Sequence, residues 1–178
     1  MIATLDHNCL IDLEEDGAPA HPLKTLITAH RQGCATLRVV AVGASERTRE
    51  GSSLTQYGVF EARLQRLDLC DLPVIKPLGV YDVTYYDHCL LADDEMVDLH
   101  DDLKKILFPG TASLTRSQQC DVLSMWAHIY HGGDTFITRD GNFSHHANEL
   151  ATKGAGAIMS PADALAALAR ITGGSASR

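Results

Sequence analysis

Apolar and polar positions along this chain follow two rhythms. Short apolar runs, richest in β-branched residues at 36–42 and 135–138, recur at residues 1–5, 36–42, 135–138 and 157–159. Each is closed by a turn or cap residue, which predicts buried strands. Between them apolar residues return every three or four positions, the period of a helix with one buried face. Helices are predicted over 22–32, where Gly33 suits the C-terminal cap, over 54–67, 90–108, 117–130 and 144–152, and over 162–171, where Pro161 opens the first turn. Cys9, Leu10, Ile11 and Leu13 form an apolar cluster at helical spacing behind the first strand. Residues 14–22, with Gly17, Pro19 and Pro22, read as a loop. Residues 73–77 form a short extended piece, and the Val/Tyr alternation over 80–86 predicts one more short strand. Strands alternating with helices predict an α/β protein, a three-layer α/β/α fold with a central, mostly parallel sheet covered on both faces.

Composition narrows the class. Of 178 residues, 45% are hydrophobic, enough for a substantial core, and no apolar run approaches the ~20 residues that span a bilayer. The first residues carry no basic stretch followed by an apolar one, so no signal peptide is predicted. The five cysteines, Cys9, Cys34, Cys70, Cys89 and Cys120, are scattered and form no CxxC. That pattern predicts reduced thiols and a cytoplasmic location rather than a disulfide framework or thiolate zinc site. With 15 basic and 23 acidic residues the formal charge is −8, which excludes bulk electrostatic binding of nucleic acid. A phosphodiester remains an eligible substrate where bound cations reverse the local sign.

Four acidic positions share one placement. Asp6 ends the first strand, Glu46 or Glu50 follows the second, Asp121 lies near the start of a helix, and Asp140 follows the strand at 135–138. In a parallel sheet these ends share one edge, where ligands of open α/β folds bind. Gly141 after Asp140 predicts a tight turn. Carboxylates pressed together raise one another's pKa unless a divalent ion holds them. Hard oxygen donors beside Asn and Ser suit Mg²⁺ or Mn²⁺ better than zinc. The acidic run at 93–102 reads instead as a solvated helix face, with its acids near the N-terminus and Lys104 and Lys105 near the end. His145 and His146 are predicted at the surface, and Trp126 and Met125 in the core.

The order Asp6-His7-Asn8, an acid after the second strand, Asp121-Val122-Leu123-Ser124, then Thr138-Arg139-Asp140-Gly141-Asn142-Phe143 resembles the PIN domain, as does the closing stretch 154–164. The resemblance covers residues 1–50 and 117–165. It implies a PIN-like fold over 1–172 with an insertion at about 52–116, leaving 173–178 as a flexible tail. It implies a Mg²⁺- or Mn²⁺-dependent ribonuclease, in which a metal-activated water hydrolyses a phosphodiester to leave a 5′-phosphate and a 3′-hydroxyl. Asp6, Glu46, Asp121 and Asp140 match the family's catalytic, metal-binding acids. Glu46 is preferred to Glu50 because it stands nearer the strand end. Asn8 and Thr138 are expected to support these ligands, and Asn142 stands where the family often has a further acid. Arg139 is the first candidate for a substrate phosphate contact, with Arg47, Arg49 and Arg116 behind it. The implied partners are RNA and, because many PIN domains are toxins of toxin–antitoxin pairs, an antitoxin; the insertion offers a lid, a homodimer surface or a partner surface. The rival readings are a PIN-like nucleic-acid-binding or regulatory module without catalysis and a phosphatase with an aspartyl nucleophile. The phosphatase would want a second Asp where Asn8 stands.

Overall fold

The computed structural model describes residues 1–46 and 56–174. In chain order the elements are β1 (Ile2–Leu5), α1 (His7–Glu15), α2 (Ala20–Arg31), β2 (Thr36–Val40), a 3-10 turn (Ala41–Ser45), α3 (Tyr57–Arg66) and β3 (Val74–Ile75). After a second 3-10 turn (Tyr86–His88) come α4 (Asp94–Leu107), α5 (Arg116–Tyr130), β4 (Thr135–Ile137), α6 (Gly141–His145), α7 (Ala147–Thr152), β5 (Ala157–Met159) and α8 (Pro161–Gly174).

The five strands form one sheet in the order β3-β2-β1-β4-β5, parallel at every pairing. β1 is central: Ala3 faces Leu37 of β2 on one side and Thr135 of β4 on the other. Successive residues of a strand point to opposite faces, so each strand feeds two cores. Leu5, Leu37, Val39 and Ile137 pack with Leu10, Leu23, Leu26, Phe60 and Leu168 from α1, α2, α3 and α8. Val40 and Phe136 face the other way, onto Leu103 and Leu107 of α4, Leu123 and Trp126 of α5, and Phe143 of α6. The result is the predicted three-layer α/β/α arrangement. Among the described residues, no helix is long and apolar enough to cross a membrane.

The strand order reverses between β1 and β4, because the chain first builds outward through β2 and β3 and then returns to β1's other side. Helices leaving neighbouring strands there diverge to opposite faces, and a crevice opens at the carboxyl ends. Asp6 and Asp140 stand at its lips.

Several expected boundaries move. The second strand stops at Val40, and Glu46 follows the 3-10 turn in extended conformation (φ −74°, ψ 155°). Glu50, Arg47 and Arg49 lie outside the described residues. The loop predicted over 14–22 is shorter, because α1 continues to Glu15 and ends on Asp16 in the left-handed region (φ 50°), while α2 begins at Ala20 and holds Pro22 in its first turn, where the missing N–H costs no hydrogen bond. Residues 80–86 form no strand. Thr84 folds back on Val80, its Oγ1 accepting from Val80 N at 2.9 Å and donating to Val80 O at 3.0 Å. Val80 and Val83 therefore both turn inward to the α4–α5 core. The extended piece at 73–77 does join the sheet, as edge strand β3. The helix predicted over 144–152 is two helices meeting at His146, the first starting early at Gly141. Gly141 is not needed for a tight turn: a Cβ there would meet no atom within 4 Å, and its φ is not positive. α8 extends through Gly174, into the stretch assigned to the tail.

Candidate active site

A cleft of about 160 Å³ opens at the switch point, and Asp6, Glu46, Asp121 and Asp140 all line it. Asn8, from the first turn of α1, and Ser117, from that of α5, stand among them. The four acids come from four segments spread over most of the chain.

Asp6 is placed by two constraints. Its backbone N–H donates to Ile137 O at 3.0 Å, continuing the β1–β4 ladder, and its Oδ1 caps α1 by accepting from His7 N at 2.8 Å. Its Oδ2 accepts from Thr138 Oγ1 and from Asn8 Nδ2, both at 2.6 Å. Asn8 Nδ2 also donates to Thr138 Oγ1 at 2.9 Å, and the Arg139 N–H reaches Asn8 Oδ1 at 3.3 Å. Thr138 Oγ1 further accepts from Asp140 N at 2.9 Å. Asn8 and Thr138 thus orient both carboxylate-bearing strand ends. Asp140 caps α6 through Oδ1, which accepts from Asn142 N at 2.8 Å.

Asn142 serves the scaffold. Its Nδ2 donates to Leu107 O at 3.2 Å, securing the loop to the end of α4. Arg139 is likewise engaged: Nε donates to Asp12 Oδ2 at 2.5 Å and Nη2 to Oδ1, a two-pronged pair with a carboxylate only 2% exposed. Arg116 donates from Nε to Ser45 O at 3.0 Å and from Nη1 to Asp82 O at 2.9 Å.

Burial and mutual repulsion shape the charges. Burial first, and the nearby Asp140, push the Asp6 carboxyl up to about 6, against the hydrogen bonds from Thr138 and the His7 N–H. Burial, Asp6 and Asp140 raise Asp121 to about 8. Glu46 is raised well above the ordinary range by burial and by Asp6, Asp121 and Asp140, with Arg63 opposing them. Among the described residues its buried Oε1 has no hydrogen-bond partner. An orphaned buried carboxylate oxygen beside three further carboxylates is the donor set a hard divalent cation satisfies. Among the described residues no three Asp, Glu, His or Cys side chains are already drawn to coordinating distance.

Three side chains at this site carry no signature in a simple reading of the acids. Arg63 of α3 is buried and grips Glu14 with Nε and Nη2, both at 2.8 Å, while its Nη1 lies 3.2 and 3.4 Å from the two ring nitrogens of His7. His7 Nε2 stands 4.0 Å from Glu46 Oε2. The third is Asp12. The signal for both Arg63 and Asp12 is a charge beside apolar residues on the buried face of a helix: Arg63 between Phe60 and Leu64, Asp12 between Cys9 and Leu13. His128 of α5 is fully buried, its ring nitrogens 2.9 Å from Thr4 Oγ1 and 2.8 Å from Ala155 O.

No protein-family model matches the chain, and comparison with curated proteins and with solved structures likewise found no match.

Proposed function

We propose that this protein is a Mg²⁺- or Mn²⁺-dependent ribonuclease of the PIN type. The observation that carries the proposal is the convergence of Asp6, Glu46, Asp121 and Asp140 on one cleft at the reversal of strand order. Three carboxyls, Asp6, Glu46 and Asp121, raised by burial and by neighbouring acids, are an unfavourable arrangement in a scaffold with no use for them. Asp6, Asp121, Asp140 and the orphaned Glu46 would hold the cation. When bound, such an ion supplies activation of water and stabilisation of charge on a phosphodiester. The chain's own part is positional. Thr138 and Asn8 fix Asp6, the α6 N-terminus fixes Asp140, and Arg63 with His7 backs Glu46.

Arg139, the nearest arginine to Asp140 in sequence, has its guanidinium paired with Asp12, so a phosphate contact from it would have to share the guanidinium with that carboxylate. A toxin role and an antitoxin partner stay proposals drawn from the PIN resemblance. A second reading has two observations in its favour. Asp6 and Asp140 both cap helices, and among the described residues no three acidic side chains stand at coordinating distance, as would suit a PIN-like module that binds nucleic acid or regulates without cleaving it.

Cleavage of a mixed-sequence single-stranded RNA separates the readings. The nuclease reading expects cleavage that requires Mg²⁺ or Mn²⁺ and is abolished in Asp6→Asn and Asp140→Asn proteins, both of which retain a capping side chain and stay folded. Cleavage retained by either variant, or no cleavage at millimolar Mn²⁺, removes it.

A further inference from the structure

Residues 79–90 leave the edge of the sheet and return to the same place. Gly79 N donates to Leu90 O and Leu90 N to Pro77 O, both at 2.8 Å, so the loop is closed at its base. Gly79 fits that closure because a Cβ would stand 3.0 Å from Leu90 O. A compact surface loop with adjoining ends is an Ω-loop, a form often used for binding.

This loop is tied to the candidate active site from three directions. Ser45 Oγ donates to Val83 O, Tyr85 OH donates to Ala44 O at 3.4 Å, and Arg116 bridges Ser45 O and Asp82 O. Ser45 precedes Glu46, and Arg116 precedes Ser117, so the loop stands on the wall of the cleft that carries those two residues. The turn itself is held by Thr84 on Val80, and Asp82 adopts the left-handed conformation (φ 60°) that presents its carbonyl to Arg116. On the far side, His88 stacks on Tyr57 of α3 with ring centroids 3.3 Å apart.

On this fixed frame two aromatic side chains face solvent. Tyr81 is 99% exposed and Tyr86 82%. The same loop turns Val80, Val83 and Tyr85 inward against the two cores. Rings presented on a rigid support bind with little loss of conformational freedom. Among the described residues, the arginines beside the cleft are engaged by Asp12, by Glu14 or by backbone carbonyls, and the protein carries a net charge of −8. The grip on a polyanion is therefore better supplied by stacking on bases than by arginine on phosphate.

We propose that Tyr81 and Tyr86 form a stacking platform for the unpaired bases of single-stranded RNA, leading the strand past Glu46 into the cleft. The proposal rests on the ribonuclease reading for the identity of the strand. It assigns a role to the middle segment of the chain, and it commits to single-stranded RNA over duplex, whose bases are already stacked on one another and offer no free face within the helix.

The test uses the full chain carrying Asp140→Asn, so that binding is read without cleavage, and a fluorescein-labelled RNA of mixed sequence, single-stranded or annealed to its complement, in Mn²⁺. Binding by anisotropy is expected to favour the single strand. Tyr81→Ala and Tyr86→Ala should each weaken it about fivefold or more, while Tyr81→Phe and Tyr86→Phe, which keep the ring face, bind as the parent does. A 2-aminopurine within the strand should lose fluorescence on binding the parent and regain it in the alanine variants. Equal affinity of both alanine variants and the parent overturns the platform, as does equal affinity for duplex. Tyrosines that prove to be buried against another protein, with RNA binding unchanged in the alanine variants, overturn it as well. Failure of the ribonuclease reading is seen separately, as absent cleavage by the unsubstituted chain, and the binding comparison holds in either case.

Discussion

Asp6 does two jobs through its two oxygens. Oδ1 ends in the cap of α1, while Oδ2 is held by Thr138 and Asn8 and faces the cleft with the other acids. The cap explains why an Asp at this strand end is cheap to keep, and the pair of side-chain donors explains why its orientation is definite. Thr138→Val removes one donor to Asp6 and the acceptor for Asp140 N. We expect it to lower Mn²⁺ affinity about 10–100-fold, read by calorimetric titration, with little change in far-ultraviolet circular dichroism. Arg139 shows how much a residue's place in a motif leaves unsaid. Its position beside Asp140 suggests a phosphate contact, yet its partner lies 127 positions earlier in the chain, on the buried face of α1. Nothing local marks that pairing. Arg139→Ala should destabilise the fold by about 2–3 kcal/mol in urea unfolding, less than a fully buried pair because the guanidinium is 46% exposed. Replacing both partners with apolar residues, Asp12→Leu with Arg139→Met, should recover much of that loss. A variant as stable as the parent would show the pair to be incidental.

At the scale of elements, the central strands and most helices were legible because each starts or ends on a residue with its own physics: Asp6 and Gly33 at ends, Pro161 at a start. Their parallel pairing follows from the alternation of strand and helix. The segment from Tyr57 to Phe108 was legible only in part. Helices α3 and α4 carry plain apolar stripes, and the charges of α4 sit where the helix dipole favours them, with Asp94 and Glu95 in the first turn and Lys104 and Lys105 in the last. The loop at 79–90 was misread because Val80, Val83 and Tyr85 imitate strand alternation, while the Thr84 side chain that closes the turn leaves no trace in hydropathy. Thr84→Val should therefore loosen the loop without disturbing the sheet. In hydrogen exchange we expect faster exchange confined to the amides around 80–89, and protection of β1, β2 and β4 unchanged.

For the whole molecule, the cluster of buried acids couples stability to pH. A carboxyl whose pKa is raised on folding favours the folded state while it is protonated, and that advantage is lost as pH climbs from its unfolded value through its folded one. For Asp121 the window runs from about 4 to about 8, and for Asp6 from about 4 to about 6. His128 has the opposite sense. Burial pulls it down to about 4, so its contribution is complete above 6.5 and fades as pH falls toward 4. The two effects are separated by Asp121→Asn, which cannot ionise at that site. In chelator, the melting temperature of Asp121→Asn should gain on that of the parent as pH rises from 5 to 8. Added Mn²⁺ should raise the parent's melting temperature and leave the variant's nearly unchanged. A difference between the two proteins that does not vary with pH would mean that Asp121 is not held in the shared, repelling cluster described here.

The claim on which the rest depends is that Asp6, Glu46, Asp121 and Asp140 together form one divalent-metal centre. Anomalous scattering from a crystal of the protein soaked in millimolar Mn²⁺ measures this directly. The account predicts a peak in the cleft within coordination distance of carboxylates from at least three of the four segments, with Glu46 among them. A cleft with no anomalous peak, or a peak bound elsewhere on the surface, would contradict it.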